Sequence, residues 1–142
     1  MAKKRSKQSK QWGWFPSARA SSPSLDAAAK VQVEAKMREL IDGVLKPKHI
    51  KPPPEDTRFN YLTDITLKWH GSTLFFVAVY ACPGPNALSP SFEARFARMR
   101  HAGRGRFDLA FIRHTGQWVE LYQGQTVEEC LDSIKDDPWF TP

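Results

Sequence analysis

No stretch of this 142-residue chain approaches the roughly 18 consecutive apolar residues of a membrane-spanning helix, so neither such a span nor a membrane partner is expected. The first ten residues are charged and no apolar run follows them, which argues against a secretory signal and for a cytoplasmic location. Cysteine is scarce. Cys82 and Cys130 lie far apart and fit neither a disulfide framework nor a metal-ligand spacing, so no metal is expected. A phosphate-binding glycine fingerprint is also missing. Gly103-Arg104-Gly105-Arg106 follows no strand–helix unit and has no Walker lysine, and no cofactor is expected. What is present is ordinary for a globular domain: 41 % apolar and 25 % charged residues, in a chain long enough to bury a core without staples.

Acid is absent from residues 1–22, which hold Lys3, Lys4, Arg5, Lys7, Lys10 and Arg19. Those six charges equal the formal net charge of +6, so the rest of the chain is neutral. It is polarised all the same. Residues 95–113 carry Arg95, Arg98, Arg100, Arg104, Arg106 and Arg113 against Asp108 alone, while residues 128–137 carry Glu128, Glu129, Asp132, Asp136 and Asp137 against Lys135. A basic arm followed by Trp12, Trp14 and Phe15 suits salt-sensitive nucleic-acid contact with base stacking. It equally suits a solvated terminus that keeps the chain soluble.

Periodicity assigns the elements. Residues 1–23 have none and read as a disordered basic tail, leaving 24–142 as one domain. A helix over residues 25–45 carries the stripe Ala29, Val33, Met37, Leu40, Ile41 and Val44, with Ser24 as N-cap and Pro47 as its stop. Residues 46–56, with Pro52, Pro53 and Pro54, read as a stiff extended connector. Strands follow over 61–69, 74–81, 92–100, 106–114 and 117–122. The Gly71-Ser72 turn sets Trp69 opposite Leu74, Leu67 opposite Phe76 and Ile65 opposite Ala78. Strands four and five are apolar on both sides, which predicts cover on both faces of the sheet, by helices or by a second subunit. The last helix opens on the capping box Thr126–Glu129, buries Val127, Leu131 and Ile134, and stops at Pro138. The fold class is α+β: a helix, a five-stranded antiparallel meander and a helix.

Phe107, Phe111, Arg113 and Trp118 form an aromatic-x3-aromatic-x-Arg-x4-Trp pattern, followed by an acidic helix over 126–136 and the ending Asp137-Pro138-Trp139-Phe140. This resembles a bacterial family catalogued as domain of unknown function 3024, whose members typically carry tryptophan where Phe107 and Phe111 stand. The resemblance covers roughly residues 46–140. It implies an architecture and supplies no reaction.

The chemistry-bearing residues are few. His49, His70, His101 and His114 each fall at a turn or connector. His70 and His114 both precede hairpin turns, where a pair beside a cation suits RNA cleavage and where idle exposed residues fit as well. Cys82 precedes Pro83-Gly84-Pro85 at a strand end, a place for a nucleophile or for a small packed residue. Cys130 belongs to the packing of the last helix. Glu93 and Asp108 lie among arginines and read as ion-pair partners. No catalytic spacing emerges, so a noncatalytic module is expected. Two kinds remain open. One binds RNA or DNA without sequence preference through Lys3, Lys4, Arg5, Lys7 and Lys10, aided by Arg98, Arg100, Arg104 and Arg106 on an arginine-rich hairpin. The other binds an acidic protein, or the 128–137 patch of a second copy as a homodimer. Trp118 and Phe111 are expected on one face as core anchors.

Overall fold

A computed structural model describes residues 23–142. The expectations for the basic segment 1–22, its disorder included, lie outside the described residues. Helix α1 (Ala27–Leu40) is capped by Asp26, whose carboxylate accepts the Ala29 N–H at 2.8 Å; Ser24 stands too far upstream to serve. Pro47 does not end the helical run. The chain widens into a π-turn (Ile41–Leu45), where the Lys46 N–H donates to the Ile41 carbonyl five residues back, and then continues as α2 (Lys46–His49). In an unbroken α-helix the Pro47 ring would press on the Gly43 carbonyl, and the wider turn relieves that clash. The extended connector is shortened accordingly and begins at Ile50.

Strands β1 (Tyr61–His70), β2 (Thr73–Ala81), β3 (Ser91–Gly103), β4 (Arg106–Ile112) and β5 (Trp118–Gln125) form one antiparallel sheet in the order β1-β2-β3-β4-β5. The three β1–β2 pairs expected from the sequence are the ones formed. Helix α3 (Val127–Asp136) opens on the Thr126–Glu129 capping box, and a 3-10 turn (Pro138–Phe140) follows it. The architecture is α+β, as the periodicity requires.

Among the described residues, helices cover one face only. Val33, Met37, Leu40, Ile41 and Leu45 pack with Ile65, Leu74, Phe76, Met99, Phe107 and Leu109 of the sheet and with Cys130 and Ile134 of α3. Phe140 seals the end of this core, 6.5 Å from Phe111 and 6.4 Å from Tyr122. Pro138, expected only to stop α3, thus opens the turn that buries Phe140. Trp69 Nε1 donates to Glu34 at 3.0 Å, and Lys36 pairs with Glu128 at 2.7 Å, so α1 is tied to both the sheet and α3. Among the described residues, the second face has no helix. The expectation of cover on both sides came from apolar residues there, and Val77 and Ala110 are indeed buried. Their cover is built from long side chains of the sheet itself, whose aliphatic stems shield apolar surface while the charged heads stay wet.

Two irregularities decide which residues share a face. A bulge in β3 leaves Phe96 unpaired between Phe76–Ala97 and Val77–Arg95, so Phe96 joins the core. In β5 the register shifts on both sides of the Leu109–Tyr122 pair. Gly124 takes a φ of +65° there, and its N–H donates to Asp108 Oδ1 at 3.0 Å instead of to the ladder. Ile112 pairs with Trp118 and Phe111 with Val119. Phe111 therefore faces the core and Trp118 the helix-free side, so the expectation that they share a face is overturned.

One ion pair outside the core gives a pH signature. Lys46 of α2 meets Asp64 of β1 at 3.0 Å. Burial works to raise the Asp64 pKa, but the Lys46 ammonium and the Ile65 N–H outweigh it and hold the carboxyl below its usual range. A folded-state pKa lower than the unfolded one stabilises the protein above the unfolded value, and the gain is lost as pH falls through the folded one. The Asp64→Asn variant should therefore lose stability less steeply than the parent below about pH 4. Parallel urea curves across that range would contradict this. The difference is small, because an exposed pair contributes little.

Candidate nucleic-acid interface

The helix-free face is lined by alternate residues of each strand. Arg98 and Arg100 stand two apart on β3 and so point the same way, and β2 sets Phe75 opposite Arg98. Arg95 reaches this face through the bulge, opposite Val77. The Arg95 guanidinium lies 4.0 Å from the centre of the Phe75 ring, and that of Arg98 lies 4.9 Å from the Trp118 ring. The two rings are themselves 5.8 Å apart. Two cation–aromatic pairs thus sit side by side on an open sheet.

Their neighbours are already paired. Arg100 donates to Asp108 at 3.0 Å and to Glu120 at 3.3 Å, and Lys68 meets Glu93 at 2.5 Å. Glu93 and Asp108 are ion-pair partners, as expected, although Glu93 takes a lysine instead of an arginine. Arg95 and Arg98 have no carboxylate partner among the described residues. Arg98 Nε is buried without a hydrogen-bond acceptor. Burial, with the Arg100 charge beside it, pushes the Arg98 pKa down, and Glu120 offsets this only in part. A buried donor without a partner costs about 1–3 kcal/mol.

The expected arginine hairpin is smaller than its sequence implied. The β3–β4 connection is the two-residue turn Arg104-Gly105, closed by the Gly103–Arg106 pair. Both turn residues have positive φ, +56° and +69°, which matches the strand twist and explains the glycine. Arg104 is exposed at this turn, while Arg106 of β4 donates to the Gly124 carbonyl of β5 at 2.9 Å. Arg98 and Arg100 belong to the body of the sheet and not to the tip.

His101 is not a turn residue either. It lies in β3, buried against Phe107, with Nδ1 2.8 Å from the Pro23 carbonyl and Nε2 accepting the Gly105 N–H at 3.2 Å. Since Nε2 accepts, Nδ1 carries the proton and donates to Pro23. Leu25 N–H donates to Ser72 Oγ at 2.8 Å, and Pro23 Cγ lies 3.8 Å from where a Gly103 Cβ would stand. The chain therefore enters the described body beside the Arg104 turn. Lys3, Lys4, Arg5, Lys7 and Lys10 lie upstream of this point, outside the described residues.

The remaining candidates separate. In a meander the first and third hairpins share one end of the sheet, so His70 and His114 lie at opposite ends and form no pair. His49 lies in α2, half-buried, its pKa lowered by burial and by Lys48 and Lys51. Cys82 is half-buried and shares a shallow hollow with Asn60 and Phe92 but with no histidine. Cys130 is buried, and burial pushes its thiol up to about 12, with Glu129 and Asp108 adding to it, so it is no thiolate at neutral pH. No cluster of metal-ligating side chains exists among the described residues, and none of their helices is long and apolar enough to cross a membrane. The acidic patch is largely engaged: Glu128 holds Lys36, Glu129 caps α3, and Asp137 accepts from the Tyr122 hydroxyl at 2.5 Å.

Sequence reasoning missed the role of Phe75 and Trp118 as the floor under the arginines. The signal was present, since Arg98 and Arg100 alternate on one strand side, but the pairing with β2 was needed to find Phe75. No curated protein and no solved structure matches the chain. Residues 25–142 match a family model described as domain of unknown function (DUF3024), a span that takes in α1 as well as the sheet and α3, and the chain belongs to that family.

Proposed function

We propose that the protein is a noncatalytic module that binds single-stranded nucleic acid, without sequence preference, on the helix-free face of its sheet. The adjacent pairs Arg95–Phe75 and Arg98–Trp118 carry this reading. A guanidinium set over an aromatic ring offers a base a cationic contact and a phosphate a set of donors at once. Packing alone accounts for the cover over Val77 and Ala110, but it leaves both the Arg95 and the Arg98 guanidinium without a carboxylate partner among the described residues. An anionic strand answers both. Arg104 and Arg106 extend the cationic surface to the hairpin end, where the basic segment joins the body and can steer the encounter. The alternative, self-association through the 128–137 acids, is weakened because most of those acids already serve the protein's own fold.

Fluorescence anisotropy of a labelled mixed-sequence oligonucleotide, single-stranded and duplex, tests the proposal. The intact protein should prefer the single strand, and Arg98→Ala and Trp118→Leu should each weaken binding roughly 10-fold or more, the scale of a lost stacking contact. Absence of binding at low salt, or variants that bind like the parent, would sink the idea. Salt-sensitive self-association in sedimentation without oligonucleotide affinity would install the protein-interaction reading instead.

A further inference from the structure

The end of the sheet opposite the Arg104 turn holds a second site, whose ligand identity rests on the reading just given. A cleft of about 560 Å³ opens there between the β4–β5 turn and the 3-10 turn after α3. We infer that it is a nucleotide subsite, taking a nucleoside monophosphate with its base on Trp139 and its phosphate at Arg113 and His114. The volume lies within the range of small-molecule sites.

Trp139 carries the argument. It is 59 % exposed, an unusual state for so large an apolar side chain, yet it is held in place. Its neighbour Phe140 is buried, its N–H donates to Asp137 Oδ1 at 3.1 Å, and its ring rests 4.9 Å from that of Phe111. A fixed aromatic with an open surface is a stacking platform. Arg113 is fixed through its backbone. Its N–H donates to the Gln117 carbonyl and its carbonyl accepts from Gly116, both at 2.8 Å, while its side chain makes no ion pair or hydrogen bond among the described residues. His114 is equally uncommitted and lines the same cleft. No carboxylate side chain of the described residues lines it, so the charge there invites an anion, and a guanidinium suits a phosphate better than an ammonium does.

The cleft also continues the proposed strand-binding face. Ile112 lines both the cleft and the hollow formed by Lys68, Glu93 and Arg95 on the helix-free side. A single strand lying across the Arg95 and Arg98 guanidiniums and the half-buried Trp118 would therefore meet the cleft with its end. The same chemistry is offered by a free nucleotide or by the phosphorylated terminal nucleotide of a strand, and the measurement separates them.

Calorimetric titration of the full chain with AMP, with inorganic phosphate, and with one single-stranded oligonucleotide bearing either a 5′-phosphate or a 5′-hydroxyl tests the subsite. AMP should bind the parent at least 10-fold more tightly than phosphate does, and Trp139→Ala and Arg113→Gln should each lower AMP affinity by 10-fold or more. Both side chains are exposed, and an unchanged melting curve confirms that each variant is folded. A preference for the 5′-phosphorylated oligonucleotide that disappears in Arg113→Gln identifies the strand end as the ligand. Equal binding of both oligonucleotides, with AMP binding retained, identifies the free nucleotide. The inference is overturned if AMP does not bind, or if it binds both variants like the parent. Arg98→Ala keeps the two proposals distinct: it should weaken the oligonucleotides and leave AMP unchanged. Loss of AMP binding alone removes the subsite, whereas loss of oligonucleotide binding alone removes the open-face reading.

Discussion

Phe111→Ala should cost roughly 3–5 kcal/mol in urea denaturation, the usual loss for a buried aromatic. Trp118→Ala should cost clearly less. Phe111 sits on the core side of β4 beneath Trp139 and against Phe140, so its removal opens a cavity at the place where the C-terminal turn closes the core. Trp118 lies across the sheet, pairs with Ile112 and is only half-buried. Its loss removes the Phe75 ring contact and the Arg98 cation contact, together worth roughly 1–2.5 kcal/mol. The same substitution should lower oligonucleotide affinity, whereas a purely structural residue would move stability alone. Equal losses of stability in the two variants would show that Trp118 anchors the core after all, and the helix-free face would lose its floor.

The reason for this division was only half legible in the sequence. In β1 large apolar residues alternate with polar ones and Gly71 fixes a tight turn into β2, so one register alone buries Ile65, Leu67 and Phe76 together, and that register formed. In β4 and β5 both sides are apolar, and alternation cannot say which residue faces the helices. There the face is set by the turn between Arg113 and Gln117 and by the shifts around Tyr122 and Gly124, which depend on Asp108 receiving a backbone amide. Pro47 illustrates the same limit. A proline forbids the ordinary α-helical bond, but not the π-turn that carries the chain past it. His101 looked like a turn residue because two glycines follow it, yet the turn is tighter than that spacing suggests and the ring is drawn into the core. Of the proposed sites, Arg98 and Arg100 were legible as cations, but as part of a hairpin tip and not of the sheet body where they stand. The exposed Trp139 was hidden behind Pro138, which reads equally well as a simple helix stop.

Deleting residues 1–22 should flatten the salt dependence of oligonucleotide binding while leaving the thermal midpoint within a few degrees of the parent. The stability half follows from where the described contacts begin. Pro23 accepts from His101 and Leu25 donates to Ser72, and a chain starting at Pro23 keeps both. The binding half follows from charge. Residues 23–142 are neutral overall, so little long-range attraction for an anionic strand comes from them, and the cations upstream must supply it. Each phosphate neutralised on a single strand contributes about 0.7 to the slope of log affinity against log salt. If Lys3, Lys4, Arg5, Lys7 and Lys10 all engage, deletion should reduce that slope by up to about 3.5, and affinity at 50 mM salt should fall on the order of 100-fold or more. The truncated protein should keep its preference for single strands, because Phe75, Trp118, Arg95 and Arg98 remain. Substituting Arg104 and Arg106 with alanine should produce a smaller reduction of about 1–1.5 in slope, reflecting two contacts at most. An unchanged slope after deletion would show that the basic segment takes no part and that the sheet holds the strand alone. A large fall in the melting temperature would instead show that Trp12, Trp14 or Phe15 packs on the folded body, and the neighbouring lysines and arginines would then have to be counted as part of its surface.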